Sequence, residues 1–200
     1  MKKIFIGLLV LLLIFAGYRI LRKDHTASPS VARTIDIIKI NEVRSIIKSN
    51  PKYNDRYAFF IDMKIPSGKN RFFIYDLKNN KIIDKGLVAH GLGSETKVKG
   101  KLKFSNVPNS LSTSLGRYAV GGHYNGKFGK AYKLYGLDTT NSNVFDRDIV
   151  FHYYFDVPYK EQKGYICNSY GCPMVNKKYF ERVAKIIDTS GSDIVMSIYY

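Results

Sequence analysis

Short segments rich in aromatic and β-branched residues recur along most of the chain, and they restrict its fold more than any other feature. Turn residues separate them, as Pro66-Ser67-Gly68 and Asn79-Asn80 do, a pattern typical of β-strands. The predicted strands cover 57–65, 71–77, 81–90, 117–121, 130–135, 148–155 and 193–200. Helical spacing of apolar residues instead marks 34–49, before Pro51, and a segment that opens at Asn176. The pattern predicts an α+β, mainly β fold.

The first 33 residues differ from the rest of the 200-residue chain. Two lysines precede an apolar run at 4–18 and three basic residues follow it, which is typical of an export signal. Because no small-x-small cleavage motif directly follows the run, residues 1–23 are predicted as an uncleaved signal anchor, with a cleaved signal peptide as the alternative. A buried helix of a cytosolic protein is a third alternative. Residues 24–33 lack periodicity and predict a linker.

The chain is strongly basic, with 32 Lys and Arg against 16 Asp and Glu, a net charge of +16. Such a charge favours nucleic acid, an anionic membrane surface or an acidic polymer as a partner. Lysines alternate with other residues from Lys97 to Lys103, within a predicted long loop at 91–109, and this alternation indicates one solvated face. Because the chain has no block of Arg and Lys, no zinc-finger spacing and no RNP-like motif, nucleic acid is not predicted as a partner.

Candidate catalytic chemistry concentrates in two neighbouring pieces of sequence. A predicted strand delivers His152, and a glycine-containing turn at 168–173 delivers Cys172. An imidazole can take the proton of a thiol and leave a nucleophilic thiolate. Three other interpretations remain open from the residues alone: a buried core cysteine, a disulfide to Cys167, and a zinc site that lacks paired C-x-x-C spacing.

An ordered set of motifs gives these residues a context. Val88-Ala89-His90-Gly91, Ser114-Leu115-Gly116-Arg117-Tyr118, Ile149-Val150-Phe151-His152 and Ser169-Tyr170-Gly171-Cys172-Pro173 follow one another along the chain. Together, over about 57–200, they resemble the L,D-transpeptidase catalytic-domain family of bacterial cell-wall enzymes. One departure is that Met174 stands where much of the family has arginine, which resembles a Ser-x-Gly-Cys-Pro sub-branch.

The resemblance implies an L,D-transpeptidase-like β-sandwich with an N-terminal helix and a helix after the nucleophile turn. It divides the rest of the chain into a helix and connection at 34–56 and a catalytic domain at 57–200. The implied activity is a cysteine transpeptidase that cleaves after an L-centre of a peptidoglycan tetrapeptide, forms a thioester and makes 3–3 cross-links. The alternatives are an L,D-carboxypeptidase or other cysteine murein hydrolase on the same site, and a non-catalytic module that binds the wall or another anionic polymer.

The resemblance also implies roles for the residues of the nucleophile turn. Cys172 is the nucleophile and His152 the general base. Ser169, or its backbone carbonyl, is predicted to orient the imidazole. The N–H groups of Gly171 and Cys172 are the predicted oxyanion donors.

Five further residues are predicted to contact the substrate: His90, Gly91, Arg147, Ser114 and Tyr118. Arg147 would hold a stem carboxylate in a bidentate fork. Its alternative is an ion pair with Asp138, Asp146 or Asp148. A purely structural role is the alternative for His90, Ser114 and Tyr118.

The remaining expectations concern partners and location. Peptidoglycan stem peptides are the implied substrate, and the bacterial membrane is a partner through the N-terminal segment. No cofactor, metal or obligate protein partner is implied. The predicted location is the cell envelope, periplasmic or extracytoplasmic and anchored in the inner membrane, or secreted if the signal is cleaved.

Overall fold

A computed structural model describes residues 35–200, which form eight strands, two α-helices and two 3₁₀ turns. The strands are β1 Tyr53–Asp62, β2 Phe72–Asp76, β3 Lys81–Gly86, β4 Gly116–Gly126, β5 Gly129–Gly136, β6 Val150–Tyr153, β7 Met174–Val175 and β8 Asp193–Tyr199. The helices are α1 Ile37–Ser49 and α2 Lys177–Thr189, and the turns are Leu92–Ser94 and Thr139–Asn141. Within residues 35–200, no helix has the length and apolar character needed to cross a membrane. The predicted anchor at 1–23 and the linker at 24–33 lie outside the described residues.

All eight strands are hydrogen-bonded into one sheet in the order β3-β2-β1-β8-β4-β5-β6-β7. Strands β1 and β8 are parallel, as are β6 and β7, and the other pairs are antiparallel. Four strands separate β2 from β6, so a flat sheet would hold them roughly 24 Å apart. The rings of Phe72 and Phe151 nevertheless have centroids 5.5 Å apart. The sheet therefore curls until its two ends face each other, and the predicted mainly β fold class is confirmed.

Helix α2 packs against the inner face of this curled sheet. Its residues Tyr179, Phe180, Val183 and Ala184 join the apolar side chains of seven strands in the main core. The Asn176 side chain caps the helix by accepting from the N–H of Lys178 at 2.9 Å. Since α2 follows the nucleophile turn almost directly, its burial anchors one end of that turn.

Helix α1 covers the opposite face of the sheet. Ile40 and Val43 are buried there beside residues that alternate with the inner-face residues along β1, such as Ala58 and Phe60. The helix was predicted over 34–49, and it begins three residues later because Asp36 caps it by accepting from the N–H of Ile38 at 2.9 Å. Its apolar stripe makes it part of the same domain as the sheet.

Several predicted strand boundaries differ from the structure. Strand β1 begins at Tyr53 and β4 continues to Gly126, whereas the predicted strands began at 57 and ended at 121. The third strand was predicted to reach 90, but β3 ends at Gly86, and the chain beyond it bridges to the nucleophile turn between Gly91 and Ser169. The two-residue strand β7 is too short to show in the sequence pattern.

Candidate active site

The thiol of Cys172 lies on a tight turn against the start of β6. Its Sγ accepts a hydrogen bond from the N–H of Val150 at 3.4 Å and lies 3.7 Å from the carbonyl oxygen of Asp148, which can accept from the thiol. Burial raises the pKa of the Cys172 thiol, while the Val150 N–H and the charge of Arg147 act against this shift. The resting group is therefore a protonated thiol, which needs a base before it can attack.

Gly171 allows the thiol to reach this position. Its φ of 120° lies in a region that favours glycine. A Cβ at this residue would lie 2.8 Å from the Ile149 side chain and 3.0 Å from the carbonyl oxygen of Ser112. Any other residue would push the turn away from the strand that holds the thiol.

His152 is the candidate base, and strand pairing brings it to the same edge of the sheet as the nucleophile turn. It lies on β6, two residues after Val150, and pairs with Met174, two residues after Cys172. Its Nδ1 lies 2.9 Å from the carbonyl oxygen of Tyr153, which can only accept, so the proton of the neutral ring is on Nδ1. The lone pair is therefore on Nε2, which has no hydrogen-bond partner within residues 35–200.

Burial and an aromatic ring keep this imidazole neutral. His152 is 5% exposed, and the ring of Phe128 stacks on it at 5.4 Å between centroids and 13° between planes. Burial lowers the pKa of His152, and the hydrogen bond to Tyr153 acts in the opposite direction. A neutral ring with an unused Nε2 is the form a general base requires.

Ser169 does not orient the imidazole, so that prediction is wrong. Its Oγ instead accepts from the N–H of Gly171 at 3.1 Å, and the Tyr153 carbonyl holds the ring. The same bond contradicts the predicted oxyanion role of Gly171, because its N–H is already used. The N–H of Cys172 has no acceptor among the described residues and remains the candidate oxyanion donor.

A family model described as an L,D-transpeptidase catalytic domain matches residues 29–197. The chain belongs to the L,D-transpeptidase catalytic-domain family. The resemblance drawn from the motifs is thereby confirmed. No curated protein matches the chain.

Several solved structures are similar to this family member at low sequence identity. An L,D-transpeptidase from Mycobacterium smegmatis is 10% identical, with 72% of this chain and 59% of that chain covered and a TM-score of 0.42. The helical cell shape determining protein Pgp2 from Campylobacter jejuni is 14% identical, with 80% and 54% covered and a TM-score of 0.47. A fused Zn-dependent amidase/peptidase/peptidoglycan-binding protein from Clostridium acetobutylicum is 15% identical, with 88% and 68% covered and a TM-score of 0.39. The chain spans 59% and 49% of the first two structures it matches.

His90 lies in an ionic network of the L,D-transpeptidase domain, between the buried Arg71 and the exposed Glu95. Its Nδ1 accepts from Arg71 Nη2 at 2.8 Å, and its Nε2 donates to the Glu95 carboxylate at 2.7 Å. Arg71 is 1% exposed and also donates to the carbonyl oxygens of Val88 and Ile65. Burial lowers the pKa of Arg71 to about 9. Burial and the charge of Arg71 lower the pKa of His90, while Glu95 raises it.

The backbone next to His90 supports the nucleophile turn. The carbonyl oxygen of His90 accepts from the N–H of Ser169 at 2.8 Å, and the N–H of Leu92 donates to the Ser169 carbonyl at 2.8 Å. Gly91 packs so closely on the long loop that a Cβ there would lie 2.2 Å from the carbonyl oxygen of Leu111. These contacts agree with the structural alternative for His90, while the substrate contact of Gly91 stays a prediction.

Arg147 ties the connection between β3 and β4, residues 87–115, to the chain before β6. Its Nη1 donates to the Ser105 carbonyl at 2.9 Å and to Ser114 Oγ at 2.6 Å, and its Nη2 donates to the Ser112 carbonyl at 2.7 Å and to Ser110 Oγ at 3.3 Å. The guanidinium is therefore not a free fork for a stem carboxylate, which corrects that prediction. The predicted alternative is also wrong, because no ion pair with an aspartate holds Arg147 in the described part of the chain.

Ser114 and Tyr118 belong to the same structural cluster. Ser114 Oγ donates to the Ser105 carbonyl at 2.8 Å, and the hydroxyl of Tyr118 donates to the Ser114 carbonyl at 2.6 Å. Tyr118 is 1% exposed. These contacts agree with the structural alternative for both residues, and their substrate contact stays a prediction.

The structure also adds residues that the sequence analysis missed. Arg71 and Glu95 hold His90, Phe128 stacks on the base, and the Tyr153 carbonyl fixes its tautomer. An isolated arginine at the start of the apolar segment 71–77 was a signal that a charge is buried there. Cys167 and Cys172 are both free thiols, and within residues 35–200 no group of three His, Cys, Asp or Glu residues is arranged to hold a metal.

Proposed function

We propose that this protein is a cysteine peptidoglycan L,D-transpeptidase. The observation that carries the proposal is a partly buried thiol on the turn that leads into β7, next to the strand that carries a neutral imidazole whose Nε2 has no hydrogen-bond partner within residues 35–200, in a domain of this family. The substrate is a peptidoglycan tetrapeptide, cleaved between an L-centre and the terminal D-alanine.

The first half of the reaction forms a thioester. His152 Nε2 takes the proton of the Cys172 thiol, and the thiolate attacks the carbonyl carbon after the L-centre. The Cys172 N–H donates to the oxyanion of the tetrahedral intermediate. The C–N bond then breaks as the imidazolium returns its proton to the amine of the departing D-alanine.

The second half transfers the acyl group to an amine of a neighbouring stem. The amine attacks the thioester carbon, loses a proton to His152, and the thiolate leaves and is reprotonated. The product is a 3–3 cross-link, and no external energy source is needed because one amide replaces another. If water attacks instead, the protein is an L,D-carboxypeptidase on the same residues.

We place this activity in the bacterial cell envelope, with residues 1–23 as the membrane anchor. The support is the apolar run flanked by basic residues. The net charge of +16 favours association with anionic lipid and wall polymers. Fractionation of cells that express the full chain or a variant lacking residues 2–23 tests this, and soluble wild-type protein in the cytosol would contradict it.

The test of the reaction is incubation of the full chain, in detergent, with purified muropeptide tetrapeptides and mass spectrometry of protein and products. We expect a protein adduct of tripeptide mass on Cys172 and a cross-linked dimer that lacks one D-alanine. Cys172→Ala abolishes both, and Cys167→Ala, which removes the other thiol, keeps both. Cys172-dependent tripeptide without dimer identifies the carboxypeptidase alternative. Absence of adduct and of product with wild-type protein refutes the enzyme and favours the non-catalytic wall-binding alternative.

A further inference from the structure

A short hairpin lies within the connection between β3 and β4. Glu95 and Leu102 form an antiparallel bridge across it. Near its tip, the hydroxyl of Thr96 donates to the carbonyl oxygen of Lys101 at 2.8 Å. These contacts give residues 95–103, named the basic hairpin for the lysines they carry, a defined shape.

The lysines of the basic hairpin lie on its solvent side. Four of them are exposed and form no ion pair or side-chain hydrogen bond within residues 35–200: Lys97, Lys99, Lys101 and Lys103. Leu102 and Phe104, which alternate with the last two lysines, pack against the main core. Because successive side chains of an extended chain point to opposite sides, these lysines point away from the core.

No acidic residue lies among these lysines or in the stretch of chain that follows them. The sequence from 96 to 137 contains neither Asp nor Glu. Glu95, at the base of the hairpin, is already bound to His90, whose Nε2 lies 2.7 Å from the carboxylate. The basic hairpin therefore presents four cations that have no partner in the described part of the chain, and this fits a ligand with several negative charges.

The basic hairpin lies next to the nucleophile turn. Before the hairpin, the N–H of Leu92 donates to the Ser169 carbonyl at 2.8 Å. After it, the Ser112 carbonyl oxygen lies 3.0 Å from the position that a Cβ on Gly171 would take. The segments on both sides of the hairpin therefore contact the turn that carries Cys172, and a polymer bound to the lysines is close to the thiol.

Peptidoglycan and an anionic membrane both offer repeated negative charges. The position of the hairpin favours peptidoglycan, because a bilayer seated on this surface would also cover the neighbouring nucleophile turn. A wall polymer can contact the lysines through the carboxylates of some stem peptides while another stem reaches Cys172. One exposed ion pair adds only about two- to threefold to an affinity, so several lysines have to act on one polymer.

We propose that the basic hairpin is a docking surface for peptidoglycan, on which the four lysines bind carboxylates of stem peptides next to the stem that reacts. The inference rests on the proposed function for its choice of polymer, and it adds a binding surface outside the reacting residues. The attraction is electrostatic and weakens as the salt concentration rises. Binding involves no covalent step.

The test measures binding of the full chain, in detergent, to purified insoluble peptidoglycan by sedimentation. One portion of the polymer is treated so that its carboxylates become amides, which removes their charge. Wild-type protein is expected to bind the untreated polymer about thirtyfold more tightly, the product of four exposed ion pairs. Replacing all four lysines of the hairpin with Gln should remove most of this difference, and replacing all four with Arg should keep it, since the charge is kept.

A matched control removes the same amount of charge elsewhere. It replaces with Gln four other lysines that are exposed and form no ion pair or side-chain hydrogen bond within residues 35–200: Lys48, Lys81, Lys85 and Lys185. Because salt screens charges that are distant from the polymer, this variant should bind within about twofold of wild type. Equal losses in the control and in the Gln variant of the hairpin would assign binding to net charge and overturn the inference.

Acetylation of lysine amines, followed by mass spectrometry of peptides, identifies what covers the hairpin. Relative to Lys81, the four lysines should react more slowly when peptidoglycan is present and at an unchanged rate in detergent micelles that contain phosphatidylglycerol. Protection by these micelles alone would assign the surface to the membrane and overturn the inference.

The docking surface and the proposed function fail by different results. If wild-type protein binds untreated and amidated peptidoglycan equally, the docking surface is overturned while thioester formation on soluble muropeptides stands. If no thioester forms but binding that depends on the hairpin remains, the enzyme is refuted, and the docking surface stands for a non-catalytic wall-binding protein.

Discussion

Two buried histidines of this domain, His90 and His152, differ in how many of their ring nitrogens are hydrogen-bonded. His90 and His152 are 2% and 5% exposed, and burial lowers the pKa of both. His90 uses both ring nitrogens, one with Arg71 and one with Glu95. His152 uses only Nδ1. Burial and a lowered pKa are therefore common to both rings, and within residues 35–200 only His152 keeps a ring nitrogen free for the proposed role of base.

The surroundings of the two rings differ in kind as well. His90 is hydrogen-bonded to two charged side chains, whereas His152 is stacked on an aromatic ring and hydrogen-bonded to one backbone carbonyl. Removing part of the His90 network leaves a buried charge unpaired, which is costly. Removing part of the His152 site leaves no charge behind. Substitutions in the first should lower stability, and those in the second should lower activity.

The largest expected effect is on catalysis, from His152→Ala. We expect thioester formation to slow by roughly 10²- to 10⁴-fold, the usual worth of a general base, while the protein stays folded with a lower free energy of unfolding, because a buried ring is lost. Single-turnover acylation followed by mass spectrometry measures the first, and urea unfolding measures the second. His123→Ala, at an exposed histidine, is the matched control and should match wild type; less than a tenfold loss in His152→Ala would give the base role to another group.

The next effect is on stability, from Arg71→Met. This change leaves the carbonyl oxygens of Val88 and Ile65 and the Nδ1 of His90 without their donor. Each buried acceptor left unsatisfied costs about 1–3 kcal/mol, so we expect a loss of about 3 kcal/mol or more. Lys69→Met, two residues earlier in a surface pair with Glu161, should cost below about 1 kcal/mol. Denaturant unfolding compares the two variants. Equal losses would show that the His90 network does not stabilise the fold.

A smaller effect on catalysis is expected from Ser169→Ala, in the turn that connects the backbone near His90 to Cys172. Its Oγ is the acceptor for Gly171, and its backbone is held by His90 and Leu92. Loss of one hydrogen bond, about 0.5–1.5 kcal/mol, should slow acylation by up to about tenfold through kcat and leave KM unchanged. Ser49→Ala, at the end of α1, serves as the control. A change confined to KM would mean that Ser169 contacts substrate.

The smallest expected effect is a shift in pH dependence. Because the pKa of His152 is lowered, the ring stays an unprotonated base at pH values below 6.5, and the acidic limb of kcat/KM should lie below 6.5. Phe128→Ala hydrates the ring, stabilises its charged form and should move this limb upward, towards 6.5. Phe155→Ala, at a ring that is 75% exposed, should leave it in place. A limb that stays fixed in Phe128→Ala would assign it to another group.

The sequence predicted the parts of the molecule that local patterns control. Alternating apolar residues located most strands, and apolar spacing located α1 and α2, because each pattern reflects the face that one element buries. Ordered motifs identified Cys172 and His152. Hydrogen-bond partners were harder: Ser169, Arg147 and His90 all carry groups that could serve catalysis. Only the curl of the sheet, which brings distant loops together, decides whether those groups face substrate or one another.

The position of β8 has a consequence for how the protein reaches this structure. Residues 193–199 form the strand between β1 and β4, so β1–β3 and β4–β7 share no neighbour until this segment arrives. During synthesis both groups of strands present an unpaired edge, which is a hazard for association between chains. Joining them requires contacts between residues far apart in the chain, and such folding is slow. The sheet should therefore form late, in a single step that starts once β8 is available.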